Sequence, residues 1–287
     1  MREDDLRASG NVEDRRGMGG AAKGGLSIGV IAVLTLLGWA TGIDPRLLVG
    51  GAEMVTGSGT PPARTAPAQG SPTDQIGGFV ARVLGETEDV WSQELPRQTG
   101  HGYEKPVLVL FSGVTRSGCG VAQSAMGPFY CPLDHKVYLD TSFFDDMRSR
   151  LGGGGSFAYA YVIAHEVGHH VQNLIGLLPQ VQQAQASSNR REANAVSVRT
   201  ELMADCLAGA WAYHMSQRHR NIDENDVRQA VATATAIGDD RLAQQAGRNA
   251  VVPDSFTHGS SEQRVRWLLA GLRSGSVSAC DTFRSGG

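Results

Sequence analysis

Residues 165–170 read His-Glu-Val-Gly-His-His, and this run constrains the chain more than any other. On a helix, residues four apart share one face, so His165 and His169 reach the same ion. Glu166 follows the first histidine, and from there its carboxylate reaches a water held in the ion's open position. Two neutral imidazoles and one further protein ligand hold zinc and leave that position free. The flanks supply the helix. Phe157, Tyr161, Ala164, Val167, Val171 and Leu174 recur at roughly helical spacing, with a glycine run at 152–155 before them and Gly176 and Pro179 after. The spacing predicts a helix over about 157–175 and makes a metal-dependent hydrolase the leading reading. A chance histidine-rich solvent face is the plain alternative, and the apolar flanks argue against it.

The third ligand has to come from elsewhere. A metzincin extension would need glycine and histidine where Gln172 and Ile175 stand, so that class is excluded. A carboxylate from a later helix is the better source, as in His₂Glu sites. Glu192 and Glu201 compete. Glu192 stands among Arg190, Arg191 and Asn194 and reads as solvated surface. Glu201 and Asp205 share one helical face among Leu202, Met203, Ala204, Leu207 and Ala208. Acids in such surroundings are costly unless paired or bound to metal. Glu201 is therefore favoured as ligand and Asp205 as the group that orients a ligand histidine. A buried salt bridge from Asp205 to Arg264 or Arg266 is compatible with that role. His258, in the loop before a Ser260-x-x-Gln263 capping box, can donate to an oxyanion, although a surface loop histidine is the bland reading.

The rest of the pattern predicts an α+β domain, mainly helical, with a small sheet ahead of the metal helix. Helices are expected at about 74–95, 143–151, 189–218, 223–237 and 260–272. Strands are expected at 107–111 and 136–140. If the second strand lies at an edge, Val137, Tyr138 and Leu139 would pair with substrate backbone.

The N-terminal quarter has a different character. Residues 1–25 are polar and glycine-rich and read as a disordered cytoplasmic segment. Residues 26–43 carry no charge and are about the minimum for one membrane-spanning helix. Arg15, Arg16 and Lys23 precede the run and Arg46 follows it, which puts the N-terminus in the cytoplasm and the remainder outside. A cleaved signal peptide is the competing reading, and it too exports the remainder. Residues 44–74 read as a flexible linker, leaving 75–287 as the extracytoplasmic domain. Four cysteines agree with export. Of three possible connectivities we favour Cys119–Cys131 and Cys206–Cys280. The net charge of −3 offers nothing to nucleic acid. An intramembrane protease would have to bury His165, Glu166, His169, His170, Gln172 and Asn173 in lipid, which the cost excludes.

Several segments together carry a resemblance. They are Ala122 to Pro132, Val137 to Asp140, Tyr161 to Asn173, Glu201-Leu202-x-Ala204-Asp205-Cys206-x-Ala208-Gly209, and Thr257 to Ser261. Over about 100–272 the chain resembles the bacterial neutral zinc metallopeptidases, single-pass membrane proteins whose domain is similar to the gluzincins. The resemblance implies a zincin-like fold and one zinc per chain. It also implies His165, His169 and Glu201 as ligands, Glu166 as general base, and a catalytic part for His258. The expected function is a membrane-anchored peptidase acting on peptide or protein substrates through a zinc-bound water. A silent zinc-binding scaffold, or a hydrolase of a non-peptide amide, would use the same ligands.

Overall fold

The computed structural model describes residues 1, 5–19, 68–70, 72–149, 154–219, 222–245 and 253–284. The expected membrane helix at 26–43 lies outside the described residues, as do residues 20–25 and 44–67 beside it. No helix among the described residues is long and apolar enough to cross a membrane. One compact unit comprises Met1–Arg16 together with Ala68–Gly287.

Strand β1 (Val12–Asp14) opens the unit. Next come β2 (Ala68–Gln69) and helix α1 (Gln75–Thr99), then β3 (Val107–Phe111). A hairpin of β4 (Val114–Ser117) and β5 (Gly120–Gln123) precedes β6 (Phe129–Cys131) and β7 (Lys136–Asp140). The five-stranded sheet runs β2-β1-β3-β7-β6. Its β1–β3 and β3–β7 pairs are parallel, while β6 runs antiparallel to β7. Seven helices follow among the described residues: α2 (Ser142–Ser149), α3 (Ser156–Leu174), α4 (Leu177–Ala186), α5 (Arg190–His219), α6 (Glu224–Ala236), α7 (Asp239–Gln245) and α8 (Ser261–Ser274). The architecture is thus mixed α+β and mostly helical, as the sequence pattern predicts.

Two expectations are corrected. Residues 5–19 are not disordered: they run along α1 and into the sheet. Val12 is buried, and β1 pairs with β3 through Leu108 N–H to Asn11 O (2.9 Å) and Arg15 N–H to Leu110 O (2.7 Å). The anchor is Glu88, a buried acid of α1. It accepts hydrogen bonds from Ser9 Oγ (2.6 Å), Asn11 Nδ2 (2.7 Å) and Arg7 Nη2 (2.8 Å). A buried carboxylate needs such partners, and the glycine-rich composition of the first 25 residues hides them. The folded unit also starts before residue 75, since β2 pairs with β1 and Asp74 caps α1.

The second correction concerns Val137, Tyr138 and Leu139. Strand β7 is interior, with β3 on one side and β6 on the other, and all three side chains are buried. Its backbone has no free edge for substrate. The free edge on that side among the described residues belongs to β6.

The longest helix among the described residues, α5, lies against α8 closely enough that their contact is backbone on backbone. A Cβ on Gly271 would come 1.8 Å from the carbonyl oxygen of Cys206, and one on Gly209 would come 2.1 Å from that of Leu268. The Cys206–Cys280 disulfide ties the C-terminal segment to this crossing, and Cys119–Cys131 ties the hairpin to β6. Both pairings are those favoured from the sequence. Gly271→Ala is expected to cost about 3 kcal/mol of unfolding free energy in urea titration, because neither backbone can yield. Gly102→Ala, whose Cβ meets nothing within 4 Å, should stay within about 0.5 kcal/mol. Equal stability of the two variants would contradict the close crossing.

Candidate metal centre and active site

Helix α3 delivers His165, Glu166 and His169, and α5 delivers Glu201 and Asp205. What brings the helices together is Gly168, inside the motif itself. A Cβ there would sit 3.0 Å from the carbonyl oxygen of Ala204 and 3.2 Å from its Cα. A side chain at 168 would push α5 away, and with it the two acids that flank Ala204.

Glu201 lies between the two motif histidines. Its Oε2 is 3.1 Å from Nε2 of His165, and its Oε1 is 3.4 Å from Nε2 of His169. One ligand atom from each of the three residues falls within 4.8 Å of the others. Ligands about 2.05 Å from a tetrahedral zinc lie about 3.3 Å from one another. The three residues therefore fit zinc with little movement. Glu192 is not part of the group. It is exposed at the N-terminus of α5, where it and Asn189 exchange hydrogen bonds.

The outer nitrogens of both histidines are held. Asp205 Oδ1 is 2.8 Å from His165 Nδ1. The same carboxylate accepts from Tyr161 Oη (2.5 Å) and, as a fork, from Arg264 Nε (2.8 Å) and Nη2 (2.9 Å). Asp205 thus orients His165 and pairs with Arg264 at once, with no part for Arg266. His169 Nδ1 is 2.9 Å from Gln172 Oε1, and Gln172 Nε2 donates to the carbonyl of Thr200 (2.7 Å), next to Glu201. These contacts fix which ring nitrogen carries the proton and leave Nε2 of each histidine for a metal.

His170 faces the other way. It is buried, donates from Nε2 to the carbonyl of Glu104 (2.6 Å) and accepts at Nδ1 from Tyr130 Oη (3.0 Å). Burial lowers it to about 4, so it stays neutral and joins α3 to β6.

A cleft of about 830 Å³ runs over the group. Phe129 and Tyr130 of β6 form one wall, and Val162, Leu178, Val181 and Ile237 make much of the rest apolar. His258 lines the same cleft with its side chain half exposed. Asp239 holds it there: Oδ2 accepts the backbone N–H groups of Thr257 (2.8 Å), His258 (2.7 Å) and Gly259 (3.1 Å), and Oδ1 lies 3.3 Å from His258 Nδ1. The bond to Asp239 raises the imidazole above its ordinary value, against burial. Tyr161, Gln172 and Asp239 went unremarked as site residues in the sequence. Each acts on a partner that only folding brings near, and no fixed spacing announces it.

Charge on these groups is arranged around protons. Burial works against a charged His165, but Asp205 and Glu201 outweigh it and raise the imidazole to about 10. Glu201 likewise lifts His169 against the effect of burial. Burial opposes charge on Glu201 as well, yet the two imidazoles hold it well below the usual range. Asp205 is held at about 2 by Arg264 and His165 despite its burial. Zinc requires neutral imidazoles, so it has to displace these protons. Binding at pH 7 is expected to release at least the proton held by His165. Calorimetry in buffers of different ionisation enthalpy measures that number, and zinc binding without proton release would contradict the charge arrangement.

Comparison with known proteins agrees with the geometry. The profile described as "Putative neutral zinc metallopeptidase" matches residues 1–283. The uncharacterized protein YpfJ of Escherichia coli strain K12 is 44% identical over 295 aligned residues, covering 99% of each chain. The uncharacterized protein Rv2575 of Mycobacterium tuberculosis strain H37Rv is 45% identical over 206 residues, which is 68% of this chain and 66% of that protein. No solved structure matches. With His165, His169 and Glu201 gathered as the motif requires, and with the family profile covering almost its whole length, the chain belongs to the neutral zinc metallopeptidase family.

Proposed function

We propose that the chain is a zinc-dependent peptidase that cleaves polypeptides bound in extended form beside β6. The observation that carries this reading is the Glu201 carboxylate set between Nε2 of His165 and Nε2 of His169, with Glu166 in the same cleft. His165, His169 and Glu201 would hold the zinc, which would supply a Lewis acid for the scissile carbonyl and lower the pKa of a coordinated water towards neutrality.

Glu166 is the general base. Burial raises its carboxyl above the ordinary value, against the pull of the two imidazoles, and a raised carboxyl is better matched to proton transfer near neutral pH. It takes the proton of the attacking water and passes it to the leaving amine. His258, braced by Asp239, donates to the oxygen on which negative charge develops. Asp205 and Gln172 keep the histidines in the tautomer and orientation that bind metal. An extended peptide adds to the free edge of β6 through its backbone, while the apolar wall of the cleft receives side chains. The two disulfides favour an oxidising compartment, and the uncharged run 26–43 favours a membrane. We accordingly place the enzyme at a membrane with its catalytic unit outside the cytoplasm.

The test compares wild type with Glu166→Gln for bound zinc and for cleavage of an unfolded protein such as casein. Zinc is expected in both, with cleavage reduced on the order of 10³-fold in the variant. Zinc in both with no cleavage in either would favour a scaffold or a hydrolase of another amide. Equal cleavage would remove Glu166 from the chemistry.

A further inference from the structure

The motif ends on a histidine that the metal group does not use. His170 shares a stripe of α3 with Glu166 and Asn173, four residues after the first and three before the second. That stripe lies about a quarter turn round the helix from His165 and His169. Glu166 opens it in the cleft. His170 and Asn173, further along, meet β6.

They meet it at one hydroxyl. Tyr130 Oη donates to His170 Nδ1 (3.0 Å) and accepts from Asn173 Nδ2 (3.1 Å). On its far side His170 donates from Nε2 to the carbonyl of Glu104 (2.6 Å), so both ring nitrogens are occupied. The rings of Tyr103 and Tyr130 stand edge-on to the imidazole, with centroids 5.7 and 5.4 Å away. His170 and Tyr130 are both buried, so water does not compete for these bonds.

Tyr130 is the middle residue of β6. One side of that strand is paired with β7, with Tyr130 opposite Val137, and the other is an edge among the described residues. Pairing with β7 holds β6 within the sheet, and the Cys119–Cys131 disulfide holds its far end to the hairpin. The Tyr130 hydroxyl holds it to the helix that carries Glu166.

We propose that Tyr130, through His170 and Asn173, is a positioning residue that sets the free edge of β6, and with it the substrate backbone, against Glu166. This rests on the reading of β6 as the strand to which substrate adds. The contact acts on the strand and not on any substrate side chain, so its effect is the same for every sequence that binds. A strand released from α3 has to be ordered again each time substrate binds, which weakens ground state and transition state alike and raises KM.

The test uses the full chain loaded with zinc, as wild type, Tyr130→Phe and Asn173→Ala. Two quenched-fluorophore peptides of different sequence are each taken around a bond that the wild type cuts in casein. Tyr130→Phe keeps the ring and removes the hydroxyl. It is expected to raise KM about tenfold for both peptides, with kcat within about twofold and bound zinc unchanged. Asn173→Ala, which leaves the bond to His170, is expected to raise KM for both by a smaller factor. An unchanged KM in both variants would overturn the proposal. So would a fall in kcat at constant KM, the mark of a smaller folded fraction, or a KM change confined to one peptide, the mark of a side-chain pocket. Wild type that cuts no casein would instead remove the peptidase reading, and this inference with it.

Discussion

The carboxylate of Asp205 is the point on which the site depends. It is fully buried and accepts from Tyr161 and His165 on α3 and from Arg264 on α8, while itself belonging to α5. Three helices are thus fixed by one group. A buried carboxylate left unpaired is costly, so the helices hold their places together or not at all. The consequence for chemistry is direct: with Asp205 on Nδ1, His165 turns Nε2 towards Glu201, within the group that could hold a metal ion.

Glycine allows this network to form. Gly168 brings α3 against Ala204, and Gly271 with Gly209 brings α8 against α5. These residues contribute no side-chain contact, yet each sets a distance between helices. Gly168 is especially economical, because it lies between the two histidines of the motif and faces the helix that carries the third ligand. A methyl group at 168 would require α5 to give by a few tenths of an ångström at Ala204, the residue between Glu201 and Asp205.

Much of the site is legible in the sequence because helical periodicity translates directly into geometry. His165 and His169 share a face, as do Glu201 and Asp205, and an apolar neighbourhood separates Glu201 from solvated Glu192. Contacts between distant segments have no such code. Gln172 is recognisable as a partner of His169 only once the helix exists, and Asp239 lies 19 residues before His258 in sequence. The strand at 136–140 misled for a related reason. Its short apolar run marks a strand but says nothing about its neighbours, and the five-residue β7 is interior while the three-residue β6 holds the edge on that side. The N-terminal segment misled through composition. Glycine and mixed charge suggest disorder, whereas Arg7, Ser9 and Asn11 are partners of the buried acid Glu88, 77 to 81 residues away.

The central claim is that His165, His169 and Glu201 hold one zinc. Anomalous diffraction at the zinc edge, on crystals of the zinc-loaded protein, tests it most directly. The account predicts a single strong peak about 2.0–2.2 Å from Nε2 of both histidines and from a Glu201 oxygen. A peak on other residues, or stoichiometric zinc with no peak between α3 and α5, would contradict it.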